Sequence, residues 1–141
     1  MDQTTTNERR QDSYAIGLSM VIGLVVGVSI LAYAQLLPSW IAPGNADKVF
    51  HFAMGGLLAF FLDGALRRRA AWRGRFAPPL SSVLVLVALG IDEYLQRFSA
   101  VRTSSIWDFA ADLAGVAVCT FAARRLFSEA GRSGPRPWPC S

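Results

Sequence analysis

Acidic side chains, one lysine and the only histidine of the chain recur close to the ends of its apolar segments. Asp47 and His51 are four positions apart, as are Asp108 and Asp112, so each pair would share one face of a helix. Carboxylates beside an imidazole can exchange protons or hold a divalent cation. Because ionisable groups at the edge of a bilayer core are costly unless they are paired, hydrated or used, such a cluster indicates a site.

A third polar set, Asp92, Glu93 and Gln96, lies near the end of another apolar segment. Acids are unfavourable at the C-terminal end of a helix, so capping does not explain this set. The candidate catalytic residues are Asp47, His51, Asp92 and Glu93. The candidate ligand-binding residues are Lys48, Gln96, Arg102, Ser105, Asp108 and Asp112. Whether a metal is bound is left open.

Simpler roles exist for single members of the cluster. Asp47 could cap a helix, and Lys48 could extend its side chain to the membrane interface. Ser105 and Asp108 have the spacing of a capping box with Asp in place of Glu. These roles leave open how much of the cluster is functional.

Two ion pairs are predicted from spacing and charge. Asp112 lies about one turn inside its apolar segment and needs a partner, for which Arg102 is the predicted bidentate ligand. Asp63 has Arg67 four residues further on, and a local salt bridge explains this acid without a functional role.

Four apolar segments position these residues, at about residues 14–37, 47–66, 80–96 and 106–127. The first carries no charge and is long enough to span a bilayer. The chain is 52% hydrophobic and 17% charged, against about 25% charged in soluble domains. The prediction is an all-α, four-helix transmembrane bundle over residues 14–127, with a disordered cytoplasmic arm at 1–13 and a flexible cytoplasmic tail at 128–141.

The basic residues are distributed asymmetrically. Of the 14 lysines and arginines, all but Lys48, Arg97 and Arg102 lie before the first segment, between the second and third, or at and beyond the end of the fourth. This bias predicts a multi-pass protein of the bacterial inner membrane with both termini cytoplasmic and the polar cluster outside. It also explains the net charge of +4 by contact with membrane lipids, with no nucleic acid as partner.

The first segment has an alternative interpretation as a cleavable signal peptide, with Arg9 and Arg10 before it and Ala32-Tyr33-Ala34 near its end. Its apolar run exceeds the roughly 7–15 residues of a signal core, which favours a retained helix. Gly23 and Gly27 in this segment, Gly55-Gly56 in the second and Gly115 in the fourth predict close contacts between helices.

Three runs of residues follow one pattern: an Asp-Lys pair with a His, then Asp-Glu-x-x-Gln, then Arg with Ser, Asp and a later Gly. The runs are Asp47-Lys48-Val49-Phe50-His51-Phe52, Gly90-Ile91-Asp92-Glu93-Tyr94-Leu95-Gln96-Arg97-Phe98, and Arg102-Thr103-Ser104-Ser105-Ile106-Trp107-Asp108 followed by Gly115. In order and spacing they resemble the VanZ-like family of small bacterial membrane proteins, over residues 14–125. Asp112 departs from the family, which usually has Asn there. The resemblance implies a four-helix membrane protein. It also implies a role in antibiotic resistance, because the family's namesake is associated with such resistance.

The expected function is that of a polar, extracytoplasmic-facing pocket that binds or processes an envelope lipid, a lipid-linked precursor or a glycopeptide. In it, Lys48 and Arg102 would bind an anionic group. Two alternatives stay open: an enzyme acting at a lipid phosphate, with a divalent cation, and a non-enzymatic accessory or scaffold protein whose polar cluster clamps the helices. The site hypothesis predicts that His51, Glu93, Arg102 and Asp108 converge in space.

Overall fold

All regular elements of the computed structural model are helices, over the residues that it describes, 3–36, 45–74, 77–99 and 105–132. The four helices are α1 (Gln3–Tyr33), α2 (Asn45–Ala65), α3 (Leu80–Gln96) and α4 (Ile106–Arg132). The described ranges contain no β-strand, only an isolated bridge between Ala70 and Pro79. The predicted all-α class with four helices is confirmed.

Proline sets the start of α3. Pro79 takes φ −56° and ψ 136°, an extended conformation, and the helix begins at Leu80 as predicted. The observed end at Gln96 and the observed start of α4 at Ile106 also match the sequence prediction. The bounds of α2 lie within two residues of the prediction, whereas α4 continues to Arg132, beyond the predicted end at 127.

The first helix differs from the prediction at both ends. It begins at Gln3, where a disordered arm over residues 1–13 was expected, and it ends at Tyr33 instead of residue 37. Residues 3–16 contain no glycine or proline, and extending an existing helix costs far less than starting one. The Gln11 side-chain amide also donates a hydrogen bond to the Ala65 carbonyl of α2, which holds the extension against the bundle.

Three of the helices are long and apolar enough to cross a membrane: Glu8–Tyr33, Ala46–Ala65 and Ile106–Arg125. The central element is α2, which packs against each of the other three. Its contact with α4 is the closest, because glycines remove the side chains that would separate the two backbones. A Cβ built on Gly115 would lie 1.9 Å from the Phe52 carbonyl oxygen, and one on Gly56 would lie 2.5 Å from Cys119 Sγ.

The predicted packing role is therefore confirmed for Gly55, Gly56 and Gly115. It is wrong, within this chain, for the pair in α1. A Cβ on Gly23 or Gly27 would meet nothing within 4 Å among the described residues. The spacing of small residues does not reveal which helix face is turned towards a neighbour.

The interior is small and largely polar. Its buried apolar members, among the described residues, are Val21, Ala59, Val85, Val116 and Ala123. The buried polar members are more numerous: Asp63, Ser81, Ser82, Gln96, Asp108, Asp112 and Thr120. Large apolar side chains such as Met20, Ile30 and Phe121 face outward, which inverts the usual arrangement of a soluble domain.

A buried polar cluster joins three helices at the end where α2 finishes and α3 begins. Ser81 Oγ donates to Asp63 Oδ1 over 3.1 Å, and Arg124 Nη2 of α4 lies 3.6 Å from the same oxygen. Beside them, the hydroxyls of Ser82 and Thr120 are 3.0 Å apart. The predicted local salt bridge from Asp63 to Arg67 is therefore wrong: the partner of this acid lies across the bundle.

Candidate functional site

A cavity of about 130 Å³ lies at the opposite end of the bundle. It is lined by the start of α2, the end of α3 and one residue in the second turn of α4, and α1 forms its fourth side. Its polar lining residues are Ser29, Asp47, His51, Asp92 and Asp112. The apolar lining residues are Val25, Val28, Ala32, Phe50, Met54, Leu58 and Leu89. We call this space the acidic cavity. The meeting of three separate polar sets, predicted from the helix ends, is confirmed for these residues.

The His51 imidazole lies between two carboxylates. Its Nδ1 is 3.2 Å from Asp112 Oδ2, and its Nε2 is 3.8 Å from Asp47 Oδ1. The first distance is that of a hydrogen bond, whereas the second is too long for one. A proton on Nδ1, shared with Asp112, leaves the Nε2 lone pair directed towards Asp47.

Asp108 lies beside this group and is more than nine-tenths buried. Its Oδ1 is 3.8 Å from Lys48 Nζ, an ion pair without a hydrogen bond. The Lys48 side chain is 45% exposed and reaches in from the rim. Asp47, His51 and Asp108 each have one atom that could bind a metal ion, and these three atoms lie within 4.8 Å of one another.

Asp92 is positioned by its own helix. Gln96 Nε2 donates to Asp92 Oδ2 over 2.7 Å, and Gln96 is itself buried. This contact joins residues four apart, as the sequence predicted. It orients one carboxylate of α3 towards the acidic cavity, so that Gln96 acts as a positioning residue.

Glu93 belongs to a different space. It lines a cavity of about 280 Å³ between α3 and α4, together with Gly90, Tyr94, Arg97, Ile106 and Phe109. Its Oε1 is buried and has no hydrogen-bond partner among the described residues. His51 and Asp108 converge as predicted, whereas Glu93 lines the neighbouring cavity.

Two further predicted site residues, Arg102 and Ser105, precede α4 in the sequence. Arg102 lies outside the described residues, and so does its predicted pairing. In the described part of the chain, the partner of Asp112 is His51 and the partner of Asp108 is Lys48. Ser105 precedes α4, and its carbonyl accepts from the backbone N–H of Asp108 over 3.0 Å.

The sequence did not indicate the structural roles of two sets of residues, for different reasons. Val25, Val28 and Ala32 form the α1 wall of the acidic cavity, but they are ordinary residues of a membrane helix. Asp63 and Arg124 were visible as charges, yet only the relative rotation of α2 and α4 makes them partners. The i, i+4 rule favoured a local partner, because it contains no information about neighbouring helices.

The charge of the acidic cavity decides which ligands suit it. Three carboxylates and one imidazole line it, and the Lys48 ammonium pairs with Asp108 beside them. A carboxylate surplus favours cationic groups and hydrogen-bond donors such as hydroxyls and amines.

Comparisons of the chain with protein-family models, curated proteins and solved structures find no match. Functional inference therefore depends on the chemistry of the site.

Proposed function

We propose that the chain is a VanZ-like protein of the bacterial inner membrane that crosses the bilayer four times and keeps both termini in the cytoplasm. Its acidic cavity then faces the extracytoplasmic side. The proposed function is to bind the polar head group of an envelope lipid, a lipid-linked precursor or a glycopeptide. A role in antibiotic resistance follows only if that ligand is a target of the drug.

The inverted polarity of the bundle supports the membrane assignment. Several of its buried polar groups are paired between helices, while large apolar side chains cover much of the outside, as a hydrocarbon environment favours. The third helix has 17 residues, or about 25 Å, at the lower limit for a span. Because α2 and α4 flank it, α3 would cross with them as the fourth span.

The observation that carries the proposed function is the two-sided lining of the acidic cavity. Apolar side chains of α1, α2 and α3 form one part, and acids with a histidine form the other. A lipid or lipid-linked molecule has the same division, since its chain is apolar and its head group is polar. The acids favour a head group with an amine or hydroxyls, which donate hydrogen bonds to carboxylates.

Lipid retention by the purified full chain tests this proposal. Native mass spectrometry of the wild type is expected to detect a retained lipid or lipid-linked molecule. Asp92→Asn should weaken retention about tenfold or more, because it removes a charged acceptor from the cavity. The matched control is Asp12→Asn on the exposed surface of α1, which should retain the molecule as the wild type does. Equal retention by all three proteins would contradict the proposal.

A structural clamp is the second candidate, and one observation favours it. The pairs His51–Asp112 and Lys48–Asp108 both join α2 to α4. Asp92 separates the two functions, because its hydrogen bond stays within α3. If the cluster serves only as a clamp, Lys48→Met lowers the thermal stability and Asp92→Asn changes nothing. In an enzymatic version of the pocket, the His51–Asp112 pair would supply general acid–base chemistry.

The proposed orientation has its own test, in a variant with Cys119 and Cys140 replaced by alanine. An impermeant thiol reagent added to intact cells should label Asn45→Cys and should not label Arg73→Cys. The reason is the concentration of arginine in the loop between α2 and α3. Labelling of Arg73→Cys alone would reverse the orientation and place the acidic cavity in the cytoplasm.

A further inference from the structure

We propose that Asp47, His51 and Asp108 bind a divalent transition-metal ion, with Zn²⁺ as the best-suited ion. One ligand atom from each lies within 4.8 Å of the other two. One imidazole and two carboxylates are ligands that zinc accepts, and three protein ligands leave a fourth position open. The residues come from two helices, α2 and α4, so that the fold assembles the set.

Asp108 provides an independent reason to expect a cation. Its residue is more than nine-tenths buried, and its Oδ1 has no hydrogen-bond partner among the described residues. The Lys48 ammonium, 3.8 Å away, is too distant for a hydrogen bond, and buried carboxylate oxygens rarely stay without one. One oxygen of this carboxylate lies within 4.8 Å of a ligand atom of Asp47 and of one of His51.

The orientation of His51 is that of a metal ligand. Histidines that bind metals commonly donate their other ring N–H to a carboxylate, which fixes the ring and raises the basicity of the binding nitrogen. Asp112 Oδ2 stands 3.2 Å from Nδ1 and supplies such a partner. Nε2 is thereby presented to Asp47 Oδ1, 3.8 Å away. Two ligands of one tetrahedral zinc are about 3.3 Å apart, so ligand atoms that lie within 4.8 Å of one another would close in by up to about 1.5 Å when the ion binds.

Lys48 is the competitor at this site. Its ammonium stands 3.8 Å from Asp108 Oδ1 and supplies the positive charge that a metal ion would supply. The side chain is 45% exposed, so it can withdraw to solvent when the ion enters. Removal of the ammonium should therefore strengthen metal binding, which is an effect that damage to the fold would not produce.

The inference rests on the site of the proposed function and deepens it by naming an ion. An acid-rich cavity repels phosphate, but a zinc ion with an open fourth position attracts it. With the ion bound, the same cavity accepts a phosphate-bearing or carboxylate-bearing head group. Without it, the cavity favours amines and hydroxyls.

The test uses Zn²⁺ alone with the full chain in detergent, purified through a tag without histidines. After dialysis, elemental analysis should find about one zinc per wild-type chain. His51→Ala and Asp108→Asn should lower zinc affinity about a hundredfold or more, and Asp112→Asn about tenfold or more. Lys48→Gln should raise it about tenfold. Asp12→Asn, an exposed acid of α1, should bind zinc as the wild type does.

Each outcome supports or overturns the assignment. A wild type without zinc, or His51→Ala with wild-type affinity, overturns it. If His51→Ala does not fold, Lys48→Gln decides, and unchanged or weaker binding by that variant also overturns it. The lipid measurement tests the proposed function separately. If the protein binds zinc but retains no lipid, the proposed function is wrong and the zinc site stands. If the protein contains no zinc and retains lipid in the presence of a chelator, the zinc site is wrong and the proposed function stands.

Discussion

Gly115→Ala is expected to destabilise the protein by about 3 kcal/mol. The added Cβ would lie 1.9 Å from the Phe52 carbonyl oxygen and 2.8 Å from its carbonyl carbon. A methyl group has no rotamer that avoids this clash, and the obstacle is backbone. Relief therefore requires α2 and α4 to move apart, which also separates His51 from Asp112. Thermal unfolding in detergent, followed by circular dichroism, measures the effect.

Gly23→Ala is the matched control for this substitution. The same methyl group would meet nothing within 4 Å among the described residues. Alanine is also the better helix former by about 0.5–1 kcal/mol, so this variant should unfold at the wild-type temperature or slightly above it. Similar losses in both variants would mean that α2 and α4 do not approach each other as closely as the structure has them.

Asp63→Asn is expected to cost about 2 kcal/mol of stability. Asp63 is 2% exposed and is the counter-ion of Arg124, whose Nε and Nη2 are buried without hydrogen bonds among the described residues. Asparagine keeps the shape and can still accept from Ser81, but it leaves the guanidinium charge unpaired. Because the Arg124 side chain is 38% exposed, part of it can reach solvent, which keeps the loss below that of a fully buried pair.

Arg67→Ala is the control, since spacing alone makes Arg67 the partner of Asp63. Its side chain is exposed, and its removal should change stability by less than about 0.5 kcal/mol. Both variants are measured by thermal unfolding in the same detergent. A larger loss of stability for Arg67→Ala than for Asp63→Asn would mean that Asp63 pairs locally with Arg67 and not with Arg124.

Helix positions were predictable because strong local signals mark them. Pro79 marks the start of α3, and the apolar runs predict α2 and the first part of α4. The start of α1 was predicted wrongly, because polar residues without glycine or proline can extend an existing helix as readily as they can form a disordered segment. Hydropathy marks where a helix is buried in apolar surroundings, and not where its hydrogen bonds begin.

The site was predictable at the level of helix ends and not at the level of partners. Asp47 and His51 share a face because they are four apart, and Asp92 pairs with Gln96 for the same reason. The contact of His51 with Asp112 depends on how α2 and α4 are rotated about their axes. The separation of Glu93 from this group has the same origin: adjacent residues on α3 point about 100° apart, so Asp92 and Glu93 line different cavities.

The polar interior has a thermodynamic consequence. The heat capacity of unfolding comes mainly from apolar surface that becomes exposed to water. In a bilayer, the outward apolar side chains stay in hydrocarbon when the helices separate, and the groups uncovered are carboxylates, hydroxyls and glycines beside a small apolar core. The heat-capacity increment should then fall well below the roughly 12–15 cal/mol/K per residue of soluble proteins. The stability curve of such a bundle is nearly flat on cooling, without the cold denaturation that a hydrophobic core brings.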